Sequence, residues 1–67
     1  MAAGEYFIAH NPNTDEYLAE KLFRGFYMTV DVTSAVKCKD EMELRRKIDK
    51  ANVDYKSQLQ IETITVY

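Results

Sequence analysis

The chain has 67 residues, of which 46% are hydrophobic and 30% are charged; this composition excludes a disordered chain and allows one domain, residues 1–67. A net charge of −2 excludes the basic excess typical of nucleic-acid-binding proteins, although the bases are concentrated in residues 37–50. A single Cys, no apolar run near the roughly 18 residues of a membrane span and no signal-peptide pattern predict a cytoplasmic protein.

The first two elements are predicted to form a hairpin. Residues 5–10 are rich in strand-forming side chains, and Asn11–Thr14 fits a type I turn, because Pro at its second position fixes φ. Residues 16–23 fit either a second strand or a helix that begins at Asn13 and stops at Gly25. We predict the strand, because the helix would be short for so small a core.

A third strand is predicted over residues 26–32, where apolar and polar side chains alternate. This alternation places Tyr27 on the face opposite the buried side chains. Residues 33–38 would either extend this strand or form a turn that brings Ala35 and Val36 inward.

The clearest helix is predicted over residues 40–51. Asp40 is a favourable N-cap, and Leu44, Ile48 and Ala51 recur at the spacing of one helical face. The pattern therefore predicts a helix that packs one apolar stripe against a sheet.

The final predicted strand, residues 59–67, has apolar side chains on both faces. In a regular strand Leu59 and Ile61 would point to one face, whereas Ile64 and Val66 would point to the other. This pattern indicates either a bulge in the middle of the strand or a central strand that is covered on both sides. If the strand instead lies at an edge, we expect it to pair with a second copy, since it contains no protective Lys or Pro.

These elements predict an α+β fold with a three- to four-stranded, mainly antiparallel sheet and one principal helix on one face. We expect the helix to cover five apolar side chains of the sheet: Phe26, Met28, Val30, Leu59 and Ile61. The other face would be either an exposed aromatic binding surface or a surface covered by the N-terminal segment or by residues 53–58.

Residues that could support catalysis are few. His10 is the only histidine and is interpreted as an exposed turn residue, while Cys38, the only thiol, is interpreted as a packing residue. One His and one Cys cannot complete a tetrahedral zinc site, and two glycines cannot form a phosphate-binding loop. We therefore predict a chain that is not an enzyme and uses no metal and no cofactor.

Two kinds of partner remain. A nucleic acid could bind Lys39, Arg46 and Lys50, which share one side of a helical wheel, and could stack on Tyr27 and Tyr55. The acids of the same helix and the net negative charge oppose that interpretation. A protein partner is favoured, because the aromatic side chains exceed what one small core requires.

The order of these pieces resembles that of small phage and prophage proteins, in which a Tyr-rich strand, an Asn-containing turn and a Tyr-Leu strand precede a charged helix and an Ile/Val strand. The matching pieces here are 6–8, 11–14, 17–18, 31–37, 40–51 and 61–64. Such proteins are commonly inhibitors or modifiers of host or defence proteins, anti-CRISPR proteins among them. The resemblance implies a binding role in a host cytoplasm and assigns no functional residue.

Overall fold

The computed structural model describes residues 3–23 and 25–67. Its strands and helices, in chain order, are β1 (Gly4–Asn11), β2 (Glu16–Glu20), β3 (Phe26–Thr29), a 3₁₀ helix (Val32–Ser34), α1 (Glu41–Lys50), a second 3₁₀ helix (Lys56–Gln58) and β4 (Gln60–Val66). The sheet has four strands in the order β3-β2-β1-β4, and every neighbouring pair is antiparallel. The predicted α+β fold is thus confirmed. Within the described ranges, no helix is long and apolar enough to cross a membrane.

The β1–β2 hairpin confirms the strand interpretation of residues 16–23, although β2 ends at Glu20. Asn11 pairs with Glu16 across the hairpin, and the N–H of Asp15 donates to the carbonyl of Asn11 at 2.8 Å. Asp15 has a left-handed φ of 57°, a conformation that Asp tolerates better than most residues. The turn therefore extends one residue beyond the predicted Asn11–Thr14.

The segment that follows β3 enters the sheet between β1 and β2. These two strands pair directly only beside the hairpin turn. Farther along, the N–H of Val36 donates to the carbonyl of Leu18 at 3.0 Å, while Phe7 and Cys38 exchange both backbone hydrogen bonds, at 2.7 and 3.0 Å. Residues 33–38 therefore do not extend β3, because Ser34 and Ala35 bond within the 3₁₀ helix whereas Val36 and Cys38 bond to the two central strands.

The principal core lies between the sheet and α1, which the Asp40 carboxylate caps by accepting from the N–H of Met42 at 3.0 Å. Leu44 and Ala51 are buried and Ile48 packs against the cluster, as the helical stripe predicted. Of the five side chains expected beneath the helix, Phe26, Met28, Leu59 and Ile61 join this core. Val30 does not: its exposure is 75%, since β3 ends one residue earlier.

The second sheet face is covered at its centre, which favours the covered alternative, although Tyr27, paired with Ala19 on this face, remains 39% exposed. Tyr6, Ile8 and Ala19, which alternate with residues of the helix-facing core, are all buried. The connection between β3 and α1 lies against this face, since Val32 and Lys37 line a depression together with residues 64–66 of β4. Of the two covering segments expected from the sequence, residues 53–58 contribute Val53 to the helix-facing core instead, and residues 1–2 lie outside the described residues.

Strand β4 lies at an edge of the sheet and contains no bulge. Its register with β1 is continuous from the Gly4–Val66 pair to the His10–Gln60 pair. Both sequence interpretations, the bulge and the central position, are therefore wrong. Ile61 and Ile64 instead lie on opposite faces of β4, and both faces are partly covered. Ile61 packs on the face beside α1, and Ile64 lies on the face beside the β3–α1 connection.

Candidate functional site

The residues predicted from the sequence to bind a partner lie on several different surfaces of the structure. Arg46 and Lys50 are exposed on α1, one helical turn apart. Tyr27 is exposed in the edge strand β3, and Tyr55 is exposed before the second 3₁₀ helix, with a left-handed φ of 60°. Only Arg46 and Lys50 thus keep the relation that the sequence assigned to them.

Lys39 does not belong to the basic side of α1, because it precedes the N-cap Asp40. Its ammonium group lies 4.2 Å from the centroid of the Tyr6 ring, a cation–π contact. A Cβ placed on Gly4 would lie 2.6 Å from the same Nζ atom, so the glycine leaves space for the ammonium group. The helical-wheel grouping of Lys39 with Arg46 and Lys50 is therefore wrong.

Most of the large apolar side chains that the structure leaves exposed lie close together in the chain, from the end of β2 to the first residue of the first 3₁₀ helix. We call them the exposed apolar segment: Leu22, Phe23, Tyr27, Val30 and Val32. Leu22 and Phe23 precede β3 and Val30 and Val32 follow it, so these two pairs lie at opposite ends of that strand. Exposed apolar side chains of this size are typical of interaction sites. The exposed apolar segment is the candidate functional site.

The loop between β2 and β3 positions the first two members of this segment. The N–H of Lys21 donates to the carbonyl of Gly25 at 2.9 Å and closes the loop. Gly25 has a φ of +97°, a left-handed conformation that favours glycine. Leu22 and Phe23 are 91% and 95% exposed. We call these two residues the Leu22–Phe23 tip. The closed loop therefore presents two apolar side chains to the solvent.

A basic depression adjoins the base of this loop. It is lined by Lys21, Gly25, Phe26, Lys50 and Asn52, and no carboxylate is among these described residues. The nearby carboxylate of Glu20 is engaged elsewhere, because Lys47 Nζ donates to it at 3.0 Å. This hydrogen bond raises the pKa of Lys47 and holds both charges in one pair. The depression thus keeps a positive character.

His10 lies in β1 with only 14% of its side chain exposed, so its interpretation as an exposed turn residue is wrong. Its Nδ1 lies 2.7 Å from Glu62 Oε2, and its Nε2 lies 2.9 Å from Asp15 Oδ1. Its ring stacks on that of Tyr17, with the two ring centroids 4.6 Å apart. The hydrogen bond to Glu62, followed by that to Asp15, raises the pKa of His10. The imidazole thus joins β1, β4 and the hairpin turn, and both hydrogen bonds favour its charged form.

This arrangement does not suit His10 for proton transfer or metal binding. Both ring nitrogens already have a carboxylate partner, and the two carboxylates lie at opposite edges of the ring. Over residues 3–23 and 25–67, no group of three or more His, Cys, Asp and Glu side chains is placed to hold a metal ion. We interpret the His10 contacts as a structural link.

Cys38 is buried against the helix-facing core, as its packing interpretation predicted. Burial raises the pKa of its thiol, and the neighbouring Glu43 adds to that effect. Because the thiolate is the reactive form, this environment makes Cys38 a poor nucleophile.

A second candidate surface is the α1–β4 groove, which lies between the helix and the edge strand. Its floor contains Ile48, Leu59 and Ile61. Its rim is charged and includes Asp49 and the Glu41–Arg45 ion pair, in which Nη2 and Oε2 are 3.0 Å apart. The unpaired edge of β4 continues this groove.

Sequence reasoning missed the Leu22–Phe23 tip because it assigned both residues to a strand that it extended to residue 23. The adjacent Gly25 was the available signal, since a glycine before a new alternating run is typical of a turn. Comparison with protein-family models, curated proteins and solved structures finds no match for this chain.

Proposed function

We propose that this chain is a small, non-catalytic binding module that acts by occupying a surface of a larger protein. The observation that carries the proposal is the exposed apolar segment, which joins a loop, an edge strand and the residues after it. Interfaces are enriched in aromatic and apolar side chains at their centre. The burial of these side chains by a partner would remove apolar surface from water, which favours association.

The environments of His10 and Cys38 support binding rather than catalysis. The imidazole is held between two carboxylates, and burial raises the pKa of the Cys38 thiol. Both groups therefore stabilise the fold, while the exposed apolar segment stays available to a partner.

The resemblance to small phage proteins leads us to propose a host or defence protein as the partner and the host cytoplasm as the place where they meet. An inhibitor of this kind acts by excluding another ligand from the surface that it covers. The chain needs only a rigid, exposed contact surface for that purpose.

A nucleic acid is the alternative partner, and it would bind through Arg46 and Lys50. Both are exposed on α1, and Lys50 also lines the basic depression. One observation weakens this alternative: Lys39 precedes the N-cap of α1 and contacts the Tyr6 ring, so it does not share a helical face with Arg46 and Lys50. The protein partner therefore remains our preferred proposal.

We also propose that the chain self-associates through β4, which lies at an edge of the sheet. An antiparallel pair of β4 strands across a two-fold axis would satisfy the free backbone groups of both edges.

The binding proposal is tested by affinity capture from a lysate of the host, with the immobilised chain as bait and with nuclease added to half of the sample. We expect one protein to be retained in both halves and to form a complex of fixed stoichiometry once purified. The unfolded chain on the same resin is the control. Retention that nuclease abolishes and moderate salt removes would favour the nucleic-acid alternative, and retention of no protein would contradict the proposal.

A further inference from the structure

The Leu22–Phe23 tip exposes two large apolar side chains in the loop between β2 and β3. The hydrogen bond from Lys21 to Gly25 closes the loop, and Gly25 adopts a left-handed conformation that other residues rarely reach. Leu22 and Phe23 are 91% and 95% exposed, so both side chains are available to a partner. Their burial by a partner would remove apolar surface from water, which favours association.

The charges around the tip specify the partner's chemistry. Lys21 and Lys50 both line the basic depression, and neither forms an ion pair with any residue that the structure describes. This local excess of positive charge lies on a chain whose net charge is −2. A complementary surface would carry carboxylates.

We propose that Leu22 and Phe23 insert into an apolar pocket of a partner protein, and that carboxylates on the rim of this pocket pair with Lys21 and Lys50. This inference rests on the proposed function, and it names both the contact surface and the kind of partner. The aromatic ring fills the pocket, while the basic depression receives an acidic side chain from the rim.

A lipid surface fits these observations less well. The tip offers two apolar side chains, whereas stable membrane anchoring takes a second apolar signal or a larger basic patch. The net negative charge of the whole chain also opposes attachment to anionic headgroups. A membrane is therefore an outcome of the test and not the proposal.

The test compares Phe23→Ser with Met42→Ser in titrations against the purified partner from the capture experiment. Met42 is 59% exposed on α1 and serves as the matched control for a lost apolar surface residue. We expect Phe23→Ser to weaken binding by roughly tenfold to a hundredfold, as for a central interface residue, and Met42→Ser to change it less than about twofold. Lys50→Glu should also weaken binding, and by a factor that shrinks as salt is added.

A photoreactive phenylalanine analogue at position 23, and in a control chain at position 42, identifies what the tip touches. We expect crosslinks from position 23 to apolar residues of the partner that are surrounded by Asp and Glu. Circular dichroism of each variant checks the fold, which the loss of a side chain 95% exposed should not change.

Three results would overturn the inference: equal binding by Phe23→Ser and Met42→Ser, crosslinks from position 23 to a second copy of the chain, or Phe23-dependent sedimentation with phosphatidylcholine–phosphatidylserine vesicles. Each leaves the proposed function standing if the capture still yields a protein. The failure of the capture itself would count against the proposed function, so the two failures are distinguishable.

Discussion

At the scale of the residue, His10 shows how a single side chain acquires its role from distant parts of the chain. Its two partners are five and 52 residues away, and Tyr17 supplies a stacking surface from the adjacent strand. Each hydrogen bond favours the charged imidazole. The link therefore depends on the protonation of His10.

We predict that the fold loses stability as pH rises through the titration of His10. The pKa of His10 in the folded chain is raised above its ordinary value of 6.5. The contribution is therefore complete below pH 6.5 and disappears as pH rises through the higher folded pKa. Because the Asp15 side chain is exposed and that of Glu62 is partly exposed, we expect a change of at most about 1 kcal/mol.

Urea unfolding on both sides of this pH window measures the effect. His10→Gln keeps hydrogen-bonding groups but cannot become charged, so its stability should vary less with pH than that of the parent chain. An equal pH dependence in both proteins would show that another group is responsible.

At the scale of the element, local signals located α1 well, because a helix is built from contacts between near neighbours. The Asp40 cap and the stripe of Leu44, Ile48 and Ala51 are present as predicted. The limits of β2 and β3 were less predictable, since a strand ends where its partner ends. Val30 continues the alternating pattern but lies beyond the last pair, Tyr17–Thr29.

We predict that Asp40→Ala destabilises the chain by about 1 kcal/mol. The substitution removes the acceptor for the N–H of Met42 and the negative charge near the positive end of the α1 dipole. Urea unfolding gives the loss directly. The matched control is Asp54→Ala, since Asp54 is exposed and forms no hydrogen bond or ion pair within the described part of the chain. Equal effects of the two substitutions would mean that overall charge, and not the cap, is responsible.

At the scale of the whole molecule, one sheet supports two unequal layers. The helix-facing core contains the larger share of the buried side chains, and the β3–α1 connection covers the other face. Three main-chain carbonyls shape this connection by accepting from Lys37 Nζ, at 3.0 to 3.2 Å: those of Val32, Thr33 and Ala35. A chain of this length has little surplus core, so a second copy on the β4 edge would add stability.

We predict that the chain forms a dimer through β4 and that Val66→Lys makes it monomeric. A lysine near the end of the edge strand places charge where the two strands would pair. Sedimentation at micromolar concentration reports the state, and Val30→Lys, a change just beyond the opposite edge strand, is the control. A parent chain that is already monomeric, together with a stable Val66→Lys variant, would contradict the proposal.

The sequence by itself determined the α+β class, the strand at Glu16–Glu20 although not its end, the helix and its cap, and the packing role of Cys38. Each of these follows from side-chain periodicity, from a capping residue or from the chemistry of one side chain. Such properties are local, and a short window of sequence contains them.

Only the tertiary structure decided the features from which the function is proposed. The insertion of residues 36–38 between β1 and β2, the edge position of β4 and the cover over the second face all depend on which distant backbone groups pair. Exposure depends in the same way on what the rest of the chain leaves uncovered. Leu22 and Phe23 resemble core residues in the sequence, and the closure of their loop by Lys21 and Gly25 places them in the solvent.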